Sequence, residues 1–461
     1  MSGYKLANFP HINTVMKLEE ASKILKNGQA QVHESTVSFE DREGSLEAIS
    51  GTPPNGGRHA WMQVMGACVL TQNTWGLVMA HGAFQASYSQ TVLPTTSQSA
   101  LSWIGSVQAF FIFFVGIFSS KAVGSSHFHH VTGAGLIVQL LGLVMTSIST
   151  KYYQFFLSEG VCVGIGSGLL FAPGIAIVAS YFSTKRPLAI AVATSGAAIG
   201  GIVFPIVSYW LIVAVGFPWA VRIITSLVLL ASGSTLYTLQ PYHPSIPQKR
   251  GPFIRLDGCK DASYCTFVVG AILGLVGGFV PFFYIPVYGL SLGLRTELAS
   301  YFVSAMNMAA LIGGFSLTVL ASRLGNLNTA VFFTNICGIV FISLILAVDP
   351  VGVIIGSLFY ALVAGYQLVL LFTAMASITV DTSPRCSQGR AALILGSFGA
   401  LLGTPIAGGI LSKQDGNAHS MDPRDWNFTL TLLFSGALIF LCGVFMTVTR
   451  VLKTGFRWEK I

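Results

Sequence analysis

About a dozen stretches of roughly 20 mainly apolar residues recur along this chain, and almost no charge falls inside them. A hydrocarbon core about 30 Å thick needs about 20 helical residues at 1.5 Å rise each to cross it. A charged side chain at the middle of such a helix costs about +2.5 to +3.5 kcal/mol. Charged residues make up 9% of the 461 residues and hydrophobic residues 53%, where a soluble domain carries about 25% charged residues. The solvent for this chain is therefore a lipid bilayer, and the expected fold is an all-α membrane protein.

Twelve transmembrane helices are expected, at residues 61–86, 100–119, 131–149, 153–180, 188–212, 218–239, 266–290, 298–321, 329–347, 351–378, 391–411 and 428–449. Residues 1–60 are polar, hold seven of the seventeen acids and lack sustained helical periodicity. No cleavable signal peptide is expected there, and the segment reads as a disordered cytosolic tail. The polar, proline-containing stretch 240–264 carries Lys249, Arg250, Arg255 and Lys260. It divides a six-helix bundle over 61–239 from a second over 265–449, with a short cytosolic tail at 450–461.

Charge and cysteine usage narrow the function classes. The formal charge is +8, but Lys and Arg sit in the loops between apolar runs. They read as topology signals, with no nucleic-acid partner implied. With residue 1 inside, twenty of the basic residues fall inside and only Lys151, Arg222, Arg295, Lys413 and Arg424 outside. Both termini are thus expected in the cytosol of a multi-pass protein, with the cell membrane as its site. Of the seven cysteines, four lie inside apolar runs, and Cys259 and Cys265 lack metal-ligand spacing, so neither a disulfide framework nor a zinc site is expected.

The two halves echo one another. Gly196 and Pro205 recur as Gly396 and Pro405, an offset of 200 residues, each pair in a helix that follows a basic loop. Two related six-helix halves with a site near the midplane are the mark of a major facilitator fold. No Walker motif is present, so transport energy comes from a gradient or from the substrate, and no cofactor is implied. Gly164-Ile165-Gly166-Ser167-Gly168 lies inside an apolar helix with no strand before it. It reads as close helix packing and not as a nucleotide loop. Gly399, Gly403, Pro405, Gly408 and Gly409 likewise read as close packing and a bend.

Two segments carry a family resemblance. Asn55-Gly56-Gly57-Arg58-His59-Ala60-Trp61 leads into the first helix, and Tyr181-Phe182-Ser183-Thr184-Lys185-Arg186-Pro187-Leu188-Ala189-Ile190-Ala191 joins the fourth and fifth. They resemble the two signature motifs of the monocarboxylate transporter family, a major facilitator family, in its fungal branch. The runs Asn73-Thr74-Trp75-Gly76-Leu77 and Gly201-Ile202-Val203-Phe204-Pro205 are similar to the same branch. The first motif of that family usually has an acid where this chain has Asn55. Its known carboxylate carriers use a lysine in helix 1, near Met79 here, and an Asp and Arg in helix 8. Here that stretch reads Asn307-Met308-Ala309-Ala310-Leu311-Ile312-Gly313-Gly314. The departures point away from lactate-type transport.

The polar residues left inside the spans are the candidate substrate-binding or coupling residues. They are Asn73, His81 and Gln85 (with Gln72) in helix 1, Glu159 in helix 4, Tyr284 and Tyr288 in helix 7, Asn307 in helix 8, and Tyr360 and Gln367 in helix 10. The resemblance implies that helices 1, 4, 7 and 10 line a central cavity. An intramembrane ionisable residue marks function by default. His81 and Glu159 are the titratable pair, both expected in the outer half and both candidates to take up and release a proton. The competing reading for each residue is a hydrogen bond to a neighbouring helix.

Lys185 and Arg186 read as a gating loop, latched to an acid or a helix C-terminus, or else as positive-inside anchors. Arg222 and Arg390 read as local interface residues. His127-Phe128-His129-His130 reads as a surface loop and not as a metal tract. The sequon at Asn427 abuts helix 12, where glycosylation is not expected.

Three functions are compatible with these residues. The first is efflux of a bulky, mostly apolar specialised metabolite such as a polyketide or peptide-derived product. This is supported by the scarcity of fixed charge and by Phe282, Phe283, Tyr284 and Tyr288. The second is proton-coupled uptake of a monocarboxylate or vitamin-like anion, and the third is a non-transporting receptor or scaffold. The partners implied are a small-molecule substrate, protons and the lipid bilayer. An enzyme is not expected, since no nucleophile–base pair or metal cluster is legible.

Overall fold

The computed structural model describes residues 54–120, 127–242, 261–347, 349–380, 384–414 and 428–455. The acidic tail to residue 53, residues 243–260 of the expected linker, Lys121, Asn427 and residues 456–461 lie outside the described residues. Among the described residues the regular secondary structure is all helical, with no strand.

The twelve helices are α1 Gly57–Ser87, α2 Gln98–Ser119, α3 Phe128–Ile148, α4 Tyr152–Tyr181, α5 Arg186–Val215, α6 Phe217–Thr238, α7 Ala262–Ser291, α8 Thr296–Leu324, α9 Asn326–Ser343, α10 Pro350–Val380, α11 Pro384–Gln414 and α12 Thr429–Thr454. Eleven are long and apolar enough to cross a membrane. The other, α1, is 31 residues long but carries Gln72, Asn73 and His81 along its buried length. Most helices run a few residues past the apolar spans read from sequence, because polar ends continue the helix into the interface. α7, for example, starts at Ala262, where the Asp261 side chain accepts from Ser263 N at 2.9 Å. That contact satisfies one of the donors orphaned at a helix start.

The halves repeat one packing scheme. α1 packs on α5, α2 on α4 and α3 on α6; in the second half α7 packs on α11, α8 on α10 and α9 on α12. Between the halves, α2 meets α11, α5 meets α8, α4 meets α10 and α1 meets α7. Small residues set these distances, since lipid supplies no hydrophobic drive between helices. A Cβ on Gly200 would lie 2.6 Å from the Gly76 Cα, and one on Gly196 would strike the Cys68 carbonyl. Gly164 and Gly168 face α2 while Gly166 faces the backbone of α3 at Gln139. The glycine run is thus a packing surface on two sides.

α7 breaks at Phe279 between Gly278 and Val280. Pro281 has no N–H for the Gly277 carbonyl, and the Ser435 hydroxyl of α12 donates to that oxygen instead, at 2.8 Å. The Gly278 carbonyl accepts from Tyr360 OH of α10 at 3.1 Å. Neighbouring helices thus satisfy the backbone groups that a proline releases in lipid. The rings of the break fill the centre of the molecule. Trp75 is fully buried, stacked on Phe279 at 5.9 Å and tilted against Phe113 at 4.7 Å.

Candidate functional site

The near face of the molecule is the one where α1 starts and α12 ends, and the far face is opposite. Toward the far face, α1 and α4 both leave regular α geometry where their polar residues meet. α1 continues as a π turn over Tyr88–Val92, and α4 is π-helical over Phe156–Val163. Such turns shift side chains off the regular stripe and recur at functional positions. Glu159 sits between two residues of the α1 stem. His81 Nδ1 lies 3.2 Å from Glu159 Oε1, and Tyr88 OH donates to Glu159 Oε2 at 2.6 Å. His81 is 0% exposed, Tyr88 1% and Glu159 8%.

His81 Nε2 has no hydrogen-bond partner among the described residues. Its ring packs against Phe283 of α7 at 5.0 Å and against Gly105 of α2, where any Cβ would collide with the imidazole. A cavity of about 30 Å³ touches Tyr88, Glu159 and Gln108, and Gln108 Nε2 is unpartnered in the same sense. That volume has room for a water.

A second group closes the far face. Gln85 Nε2 donates to Gln98 Oε1 at 2.9 Å, and Tyr284 OH donates to the Thr404 carbonyl at 3.0 Å. Across the two halves, Ser99 Oγ donates to the Pro405 carbonyl at 2.9 Å, and the Ser106 and Thr404 hydroxyls bond to each other. Gln85 and Tyr284 are therefore packed in the helix contacts at this face.

The remaining residues separate. Asn73 Nδ2 donates to Ser232 Oγ at 2.9 Å, and its carbonyl accepts from Gln139 Nε2 at 2.8 Å, so it ties α1 to α6 and α3 inside the first half. Asn307 Nδ2 bonds its own helix at Val303, and the residue borders a cavity of about 40 Å³ lined by α5, α8 and α10 with Met79 of α1. Tyr288 OH donates to the Ala347 carbonyl at 3.3 Å, and its ring packs on Phe428. Tyr360 and Gln367 border a cavity of about 430 Å³ whose described lining comes from α7, α9, α10, α11 and α12. Gln367 Nε2 donates to Thr334 Oγ1 at 2.8 Å.

The two motif segments meet at the near face. Asn55 Oδ1 accepts from Ser183 N at 2.6 Å and Thr184 N at 3.0 Å, while its Nδ2 donates to Ser183 Oγ at 2.7 Å. Arg186 donates from Nε and Nη2 to the Ala179 carbonyl at 3.0 and 2.6 Å, a cation on the C-terminal turn of α4. Lys185 is exposed at the N-cap of α5. Arg222 lies over the Trp219 ring at 4.9 Å, Arg390 is buried, and among the described residues no His, Cys, Asp or Glu cluster could hold a metal.

Tyr88 and Gln98 are partners of the candidate residues Glu159 and Gln85 that the apolar runs did not reveal, since both fall between the expected first and second spans. The spacing of seven from His81 to Tyr88 is the one signal that puts them on one face.

Two matching six-helix bundles with polar networks buried at their seam define a polytopic membrane transporter. The Major Facilitator Superfamily model matches residues 65–404, and the chain belongs to that superfamily. The chain is 31% identical to the MFS transporter asaE of Aspergillus flavus over 411 residues, which is 88% of this chain and 90% of that one. It is 31% identical to the aspyridones efflux protein apdF of Emericella nidulans over 396 residues, 85% of this chain and 77% of that one. It is 30% identical to the MFS-type transporter pynF of Aspergillus niger over 405 residues, 86% and 90%.

Proposed function

We propose that this chain exports an uncharged, mostly apolar specialised metabolite by alternating access, from a fungal branch allied to the monocarboxylate transporters. The observation that carries the reading is the chemistry of the 430 Å³ cavity. No Lys, Arg, His, Asp or Glu is among its described lining residues. Burying an unpaired carboxylate costs several kcal/mol, and none of the described lining residues offers a monocarboxylate a counter-charge. The relative named as an aspyridones efflux protein supports the direction. The near face is the cytosolic face of the cell membrane in this reading.

Protons drive the cycle through His81 and Glu159. Their contact at 3.2 Å and the packing of His81 on Phe283 link a titratable pair to the seam between the halves. Asn73, Gln85, Tyr284, Tyr288 and Asn307 position helices, and Lys185 and Arg186 steady the near-face loop. The test is disruption of the gene in its host, with cell and medium extracts compared by mass spectrometry. A metabolite retained in the cells and restored to the medium by the intact gene is expected. A compound left unused in the medium instead would establish uptake.

A further inference from the structure

We propose that Gln108 of α2 holds a water against Glu159 inside the first half, and that this water helps to set how tightly the carboxylate binds a proton. The water's role rests on the proton reading above, whereas its place does not. Gln108 is 1% exposed, and its Nε2 has no hydrogen-bond partner among the described residues. Buried polar groups in native proteins carry a partner, either protein or ordered water. The amide borders the same cavity of about 30 Å³ as Tyr88 and Glu159. That space suffices for a water, which needs about two to four polar partners.

The three groups supply them. Gln108 Nε2 is a donor and gives a hydrogen to the water oxygen. The ionised Glu159 carboxylate is an acceptor and takes one from the water. Tyr88 OH already donates to Glu159 Oε2 at 2.6 Å, which leaves its oxygen to accept the water's second hydrogen. The Thr146 hydroxyl, also at this cavity, is committed to the Gly142 carbonyl at 2.9 Å.

The described lining comes from α1 with its π turn, α2, α3, α4 and α6, with nothing from the second half. Tyr88 and Glu159 are its titratable groups; Arg222 of α6 turns instead to Ser147 and the Trp219 ring. Glu159 thus has two sets of partners. His81, 3.2 Å away, lies at the seam under Phe283 of α7, and the Gln108 water with the Tyr88 hydroxyl lies away from it. A movement of α7 that displaces His81 leaves the second set in place. Gln108 is therefore a positioning residue: through the water it acts on the carboxylate that the first set releases.

The test is infrared difference spectroscopy on the purified full chain in lipid nanodiscs, titrated with pH in ordinary water and in oxygen-18 water. The Glu159 signal is the protonated-carboxyl C=O band that Glu159→Gln removes. An O–H band sensitive to oxygen-18 is expected in the wild type and lost in Gln108→Leu. In that variant the midpoint of the Glu159 band moves by about one pH unit, a tenfold change in proton affinity for one charge-assisted hydrogen bond. Gln108→Met serves the same end if Gln108→Leu does not give a monodisperse protein. Gln139→Leu removes a buried amide of α3 outside the cavity lining and leaves both signals unchanged. An oxygen-18 band that both Gln108 variants retain, or that Gln139→Leu also removes, overturns the water site. A midpoint unmoved in the Gln108 variants overturns the positioning role. A Glu159 that keeps one charge state at every pH, with the water band still lost in Gln108→Leu, overturns the proton reading and leaves the water site standing.

Discussion

Gly408 holds the far face shut, and its neighbour Gly409 is the built-in control. A Cβ on Gly408 would lie 2.7 Å from the Ser99 Cα and 2.8 Å from the Ser99 N, besides striking Tyr284 OH. The shortfall against ordinary contact at 3.4 Å is roughly 0.7 Å, and backbone atoms cannot rotate aside. Gly408→Ala therefore forces α2 and α11 apart. That separation breaks the Ser99–Pro405 bond and the Ser106–Thr404 bond, the two short ones that cross the halves here. Interhelical hydrogen bonds in membranes average about 0.6 kcal/mol and reach about 1.7. With the lost packing, the closed arrangement weakens by about 2 kcal/mol, a shift of roughly thirtyfold in its population. A Cβ on Gly409 meets only Ser99 Oγ, at 3.9 Å, so Gly409→Ala is expected to be neutral. Spin labels at the exposed positions Thr95 and Arg295, read by double electron–electron resonance, should gain a longer distance in Gly408→Ala alone. The same distance distribution in wild type, Gly408→Ala and Gly409→Ala would show that the α2–α11 contact does not hold the face closed.

Other substitutions test other parts of the structure. Glu159→Gln is expected to change the pH dependence of transport measured in proteoliposomes; an unaltered profile in both Glu159→Gln and His81→Phe removes the proton role. Asn55→Ala strips the acceptor from Ser183 N and Thr184 N and should lower stability by about 0.5–2 kcal/mol, as a lost helix cap does. Asn55→Asp keeps that acceptor and should melt near wild type in the same detergent. Ser435→Ala leaves the Gly277 carbonyl without its donor, and a fall of about 1 kcal/mol in thermal or denaturant stability is expected.

The helices were legible because each apolar run is a direct record of bilayer thickness. α5, for example, extends only from the expected 188–212 to Arg186–Val215. The partners of the polar residues were legible only in part. Glu159 and His81 could be paired because few titratable groups lie in the spans. Tyr88 could not, because it lies beyond the apolar run, and only its spacing of seven from His81 marks the shared helix face from which it reaches Glu159. Asn55 reads from sequence as a departure from an acidic pattern, and its purpose emerges only when Ser183, 128 residues away, comes within 2.7 Å. Asn73 sits on a helix at the seam but points to Ser232 of α6, inside the first half. Helix identity does not give helix rotation, and rotation decides whether a polar group meets a neighbour or a space. The cavity itself was invisible, since it depends on small residues from five helices facing one point.

The run Phe279 to Tyr284 joins these parts mechanically. Phe279 stacks on Trp75 of α1 on one side, and with Phe282 it walls the 430 Å³ cavity on the other. The Phe282 carbonyl presses on Gly82, Phe283 covers the His81 ring, and Tyr284 bonds the α11 backbone at Thr404. Pro281 within this segment and Pro286 just beyond it each lack an N–H, so the bend relies on bonds from α10 and α12 as well as on the α-helical ladder. Interiors packed this closely move between discrete arrangements and do not deform smoothly. A shift of the run that opens the cavity wall therefore has to displace the ring over His81 and the hydroxyl at Thr404 together. The cavity, the titratable pair and the far-face contact cannot change independently while this segment touches all three.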